Sequence, residues 1–210
     1  MIGALGAMLL LPIAASATLN FIQNGGFETP SLSSSLYGYN YRTGTQIDDW
    51  TIISSVGNNG VAQFDNVYRP VGAGNYSIQI ESGVKNSSPG DSISQTVNGL
   101  SPGQYYQVSF LLSAWSVAGG ASMDVTIDGV TKNFTSFSQS YASDSFDFVA
   151  TGPSDTLMFK NVGVWGVSYP QIDSVSLTAV PEPTTMVAGA LLLLPFGMST
   201  LRVLRRSRMA

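Results

Sequence analysis

Between residues 18 and 179 the chain never sustains a 3.6-residue apolar period, so its folded part must be built from strands. Short runs rich in β-branched and aromatic residues alternate there with turn chemistry. Tyr105-Tyr106-Gln107-Val108-Ser109-Phe110-Leu111-Leu112 is the clearest run, opened by Ser101-Pro102-Gly103. Met123-Asp124-Val125-Thr126-Ile127 alternates apolar and polar, as a strand with one buried face does. Asp128-Gly129 then reads as a two-residue hairpin turn, with Val130-Thr131-Lys132-Asn133-Phe134 as the return strand. Residues 77–80, 92–97, 145–150, 156–160 and 172–177 supply further strands. Short strands at roughly even spacing predict a β-sandwich. Residues 31–41, rich in Ser and Tyr, read as a loop.

Charge and missing residue types narrow the chemistry. Only 10% of the chain is charged, and residues 18–179 hold five bases against twelve acids, a formal charge of −7. No basic footprint for nucleic acid exists. Excess carboxylate suits divalent cations or neutral sugars better than anionic partners. The chain has no Cys and no His. Zinc sites built on those residues and nucleophile systems that need an imidazole are therefore excluded. About 160 residues are enough for one core without disulfides.

The two ends differ from the middle. Residues 1–17 are an apolar run ending in Ala15-Ser16-Ala17. Small residues at the first and third positions before a cut fit signal peptidase, so cleavage after Ala17 is expected. No Lys or Arg precedes the apolar stretch. Either the α-amino group carries the only positive charge there, or the true start lies upstream. At the other end, two prolines around one carboxylate hold Val180-Pro181-Glu182-Pro183 extended. Residues 186–204 contain no acid and one base, Arg202. As a single transmembrane helix they would about cross the ~30 Å hydrocarbon core of a bilayer. Arg205, Arg206 and Arg208 would stop transfer and stay on the cytoplasmic side.

This three-part tail resembles the PEP-CTERM sorting signal of Gram-negative bacteria that make extracellular polysaccharide. The resemblance implies that a membrane-embedded exosortase processes residues 180–210, reading Val180, Pro181, Glu182, Pro183 and the cluster Arg205, Arg206 and Arg208. The export machinery and signal peptidase would handle the front end. The precursor would be anchored in the inner membrane, and the mature protein would reach the cell surface or extracellular matrix.

A second resemblance lies in the body. Asn24-Gly25-Gly26-Phe27-Glu28 with Asp49-Trp50 is similar to the opening of galactose-binding-like jelly rolls, which include several carbohydrate-binding modules. Tyr76-Ser77-Ile78-Gln79-Ile80, Ile93-Ser94-Gln95-Thr96-Val97, Gly103-Gln104-Tyr105-Tyr106 and Ile172-Asp173-Ser174-Val175 extend the likeness. It implies an all-β jelly-roll β-sandwich over residues 18–179. In many such modules a Glu and an Asp at the places of Glu28 and Asp173 help to hold a structural calcium, the cofactor this likeness suggests. Here Ser174 stands where many relatives have a second Asp.

Aromatic residues supply the candidate ligand contacts. Tyr37, Tyr39 and Tyr41 alternate, so an extended segment would put all three on one face. Trp165 lies between Gly163 and Gly166, with Tyr169 close behind. Such rings can stack on pyranose faces, while Trp50 and most other aromatics are expected to fill the core. Glycoside hydrolysis needs only two carboxylates. Asp48-Asp49 is the only adjacent acidic pair, and no catalytic motif surrounds it. The reading is an exported, non-enzymatic envelope or matrix protein that binds extracellular polysaccharide. A purely structural matrix protein is the alternative, with a carboxylate glycosidase third.

Overall fold

A computed structural model describes residues 19–32, 38–54, 60–82 and 90–181. Ala15, Ala17, Tyr37, Glu182, Pro183, the 186–204 span, Arg205, Arg206 and Arg208 lie outside the described residues. The strands are β1 (Tyr39–Arg42), β2 (Gly44–Ile47), β3 (Trp50–Ile53), β4 (Val61–Asp65), β5 (Tyr76–Ile80) and β6 (Ser92–Asn98). They continue with β7 (Tyr105–Ala114), β8 (Ala121–Ile127), β9 (Val130–Ser136), β10 (Ala142–Val149), β11 (Ser154–Asn161) and β12 (Pro170–Ala179). One antiparallel sheet has the order β1-β4-β5-β12-β7-β10 and the other β2-β3-β6-β11-β8-β9. The fold is a jelly-roll β-sandwich, as expected. The stretch read as a loop is corrected in part, because Tyr39–Arg42 pairs with β4 as an edge strand.

Alternation builds the core. Ile78 and Ile80 on β5, Val108, Phe110 and Leu112 on β7, and Ile172 and Leu177 on β12 are buried against Met123, Val125, Leu157 and Phe159 of the facing sheet. Each large side chain removed from water contributes about 2–3 kcal/mol of transfer free energy. Asp128 and Gly129 both adopt positive φ, the conformation that a two-residue hairpin between β8 and β9 requires. Trp50 is core, packed on Phe27 and Phe159, with its indole N–H donating to Asn24 O at 3.0 Å. The first segment docks on β12 through Val175 N–H to Gly25 O. A Cβ on Gly25 would lie 2.0 Å from Val175 O, so only glycine allows this approach. The buried cluster from Ile22 to Leu177 is a core of the kind that a single domain has.

One feature breaks the usual rule for a sandwich. Ser77, Gln79 and Glu81 alternate with the inward Ile78 and Ile80, and Gln171 and Asp173 flank the inward Ile172. These five should face solvent, yet none is more than 7% exposed. A second layer covers the outer face of the first sheet.

Candidate functional site

That second layer is aromatic. Tyr39 and Tyr41, two apart on β1, share its outward face and meet edge to face at 5.7 Å. Tyr68, from the β4–β5 connection, packs between Tyr39 at 4.4 Å and Trp115 at 5.3 Å. The Arg69 guanidinium caps the far side of the row, 3.4 Å from the Trp115 ring centroid, and donates to Trp115 O. The layer is thus largely engaged with itself. Tyr41, 49% exposed, is its accessible end.

Beneath lies a buried polar chain across three strands. Ser113 Oγ donates to Gln171 Oε1 at 3.1 Å, Gln171 Nε2 to Gln79 Oε1 at 3.2 Å, and Gln79 Nε2 to Glu81 Oε1 at 2.9 Å. The chain runs one way and ends on a carboxylate. Burial pushes the Glu81 carboxyl up from its ordinary value, with nearby Asp91 adding to the rise and the Gln79 bond opposing it. Tyr41 is raised as well, by burial first and then by the Glu81 charge, with Tyr39, Tyr68 and Tyr169 also contributing. Further along the floor, Tyr141 sits near Ser77, Ser113 and Asp173, and burial pushes its hydroxyl up to about 12.

The loop between β11 and β12 closes the corner. Asn161 Nδ2 donates both to Ile80 O at 3.0 Å and to Ser168 O at 2.8 Å, tying the loop to the end of β5. Gly166 N–H donates to Ser82 Oγ at 3.0 Å, which sets the loop tip beside Glu81. Trp165, next in the chain to Gly166, is 46% exposed. Tyr41 therefore lies within electrostatic reach of both Glu81 and Tyr169, and Trp165 sits in the loop whose tip is tied to Ser82, the neighbour of Glu81. Sequence reasoning missed Glu81, Gln79, Gln171, Tyr68 and Trp115. The only signal for Gln79, Glu81 and Gln171 was a run of polar residues on or beside strands whose opposite face is apolar, and Tyr68 and Trp115 lie in connections outside any strand.

Glu28 and Asp173 also converge, on a different structure. Glu28 Oε1 accepts from Asn75 N and Tyr76 N, and Oε2 accepts from Asn75 Nδ2. Asp173 Oδ2 accepts from Ala73 N and Ser77 Oγ, both at 2.7 Å, and Oδ1 accepts from Ser174 N. All four oxygens are engaged by donors, and together they pin residues 73–77 over the sheet. Gly74, at φ +65, leaves room for Glu28. Among the described residues no group of three or more acids surrounds the pair. A calcium ion would have to share or displace these donors, so the arrangement fits a pinned loop better than a cation cage. Burial raises the Asp173 carboxyl, against its hydrogen bonds and with the Glu28 charge adding.

The raised pair Glu81 and Asp173 sets a pH dependence. An acid whose folded pKa exceeds its unfolded one binds more protons when folded, so stability falls as pH rises through that window. We expect the melting temperature to rise as pH is lowered from neutral toward the ordinary carboxylate range near ~4. Glu81→Gln should flatten the profile; melts at several pH values check this, and a steady fall on acidification would contradict it.

Asp48 and Asp49 are an exposed turn between β2 and β3, with Asp49 at positive φ, so this pair is a turn feature. At the far end of β12, Val180 N–H donates to Tyr105 O and Gln104 Nε2 to Val180 O, and Pro181 is exposed. Pairing Pro170 with Ala114 and Ala179 with Tyr106 places this exit at the pole opposite Trp115 and Tyr169.

No curated protein matches the chain. A Stig cyclase, Fisc, from Fischerella sp. TAU aligns with a TM-score of 0.61 at 16% identity, covering 79% of this chain and 99% of that one. Another cyclase from Fischerella sp. TAU gives 0.61 at 19%, over 78% and 98%. A CBM4 carbohydrate-binding module gives 0.47 at 16%, over 76% and 99%. The cyclases correct one expectation. They share this fold and are enzymes, so the reading that the chain is not an enzyme does not stand. That reading rested on the adjacent pair Asp48-Asp49 and on the lack of a catalytic motif around it, and it did not weigh buried carboxyls such as Glu81, which can also move protons. A family model described as a protein of unknown function (DUF642) matches residues 20–178, and the chain belongs to that family.

Proposed function

We propose that this is an exported cell-envelope or matrix protein that binds neutral extracellular polysaccharide at the corner formed by Tyr41, Tyr169, Trp165 and Glu81. One observation carries the reading. A half-exposed aromatic ring stands beside a buried carboxyl whose orientation is fixed by three successive hydrogen bonds. A pyranose has an apolar C–H face for the ring and hydroxyls for the carboxyl, and the site needs no cation to recognise it. The carbohydrate-binding likeness of the opening motif agrees with this reading. Residues 180–210 would act as an exosortase sorting signal, with inner-membrane anchoring before release or display.

The test is a glycan array that includes the host's own exopolysaccharide, probed with residues 18–181. Saturable binding, weakened about tenfold by Tyr41→Ala or Trp165→Ala, is expected; that factor corresponds to about 1.4 kcal/mol. A second reading also has an observation behind it. Tyr39, Tyr68 and Trp115 stack mainly on one another, as a structural matrix protein would allow. Binding to no glycan by a verified fold would favour that reading.

A further inference from the structure

The pole that carries the candidate site also exposes a set of large apolar side chains. Val117 is 62% exposed, Phe137 65%, Val164 72%, Val167 46% and Val162 38%. They come from three connections that the structure stitches together. A Cβ on Gly119 would meet Val167 O at 1.8 Å, and one on Gly120 would meet the Phe137 ring at 2.7 Å. Ala114 N–H donates to Ser138 O, Trp115 N–H to Tyr169 O, and Val162 N–H to Ser122 O. The side chains therefore form one patch rather than scattered exposure. Residues 115–120, 136–141 and 162–169 contain no charged residue, although the domain as a whole is strongly acidic.

We propose that this pole is a contact between two copies of the chain. Like-charged domains repel over most of their surface, and a pole whose three exposed connections carry no charge, and whose nearest base is Arg69 on Trp115, is where two acidic copies can meet at least electrostatic cost. The exposed fractions amount to roughly 500 Å² on each copy, so a symmetric pair would bury about 1,000 Å², the lower bound for a specific interface. The contact is thus weak and reversible. Its geometry has a consequence. The chain leaves the domain at Val180, at the opposite pole, so copies joined pole to pole send their tails in opposite directions. Copies held by their tails on two facing surfaces could then bridge those surfaces, and many weak bridges would add up.

Sedimentation velocity on residues 18–181 over a wide concentration range tests this, with Val117→Asp and Val164→Asp measured separately. The expected result is a concentration-dependent dimer whose dissociation constant rises at least tenfold in each variant. The fold of each variant is checked by its melt. A monomer at every concentration would overturn the proposal. So would a dimer that both variants leave unchanged. Binding of the monomer to phosphatidylcholine vesicles, lost in Val164→Asp, would instead assign the pole to lipid and overturn it too.

Discussion

The full-length chain carrying Glu182→Ala should accumulate as an uncleaved precursor in the inner membrane, as should a chain lacking Arg205, Arg206 and Arg208. The physical basis lies at the domain edge. Among the described residues, the last main-chain hydrogen bonds to the body are those of Val180, with Tyr105 O and Gln104 Nε2, and Pro181 is exposed immediately beyond. A processing enzyme would therefore find the start of the Val180-Pro181-Glu182-Pro183 motif at the edge of the domain. Glu182 is the only charge within that motif, and the terminal arginines are what would hold the following apolar run across the membrane. Immunoblots of fractionated cells check the outcome. Wild-type processing of both variants would contradict the sorting proposal.

Asp173→Ala should be strongly destabilising although it lies outside the apolar core. Asp173 is fully buried on the outer face of the first sheet and accepts from Ala73 N, Ser77 Oγ and Ser174 N. Its raised pKa shows that burial already costs the charged form something. Alanine relieves that cost but leaves buried donors without an acceptor, at ~1–3 kcal/mol each. The loss of acceptors wins, and we expect a net loss of about 3 kcal/mol, or roughly 6–12 °C in melting temperature. Asp173→Asn, which keeps one acceptor oxygen, should lose less. The pinned-loop geometry also predicts that a chelator leaves the wild-type melt unchanged. A chelator-induced fall that is absent in Glu28→Ala would place calcium at this pair instead.

How much of this was legible beforehand depends on the kind of signal. The strands from β5 to β12 announce themselves through alternation and turn residues such as Asp128-Gly129, because one-sided burial imposes a period of two. The first four strands do not. β1 is a four-residue edge strand reading Tyr-Asn-Tyr-Arg, and its apolar partner is the outer layer rather than the core. The Tyr39–Tyr41 face was readable, since alternation survives whether a segment is loop or strand. Glu81 was not, because an outward polar residue on a half-buried strand is the ordinary expectation. Only Tyr68, Trp115 and Arg69, folding back from two separate connections, turn that face into an interior. Asp173 is buried for a separate non-local reason: residues 72–77 and Tyr141 fold over it, although sequence alone allowed it to face solvent.

Amide chemical-shift mapping on isotope-labelled residues 18–181, titrated with oligosaccharides cut from the host polysaccharide, tests the central claim most directly. Saturable shifts centred on Tyr41, Glu81, Gly166 and Tyr169, absent in Tyr41→Ala, are expected. Shifts centred instead on the opposite pole, around Gly99, Gln104 and Val180, would contradict that claim, as would a spectrum that no oligosaccharide moves.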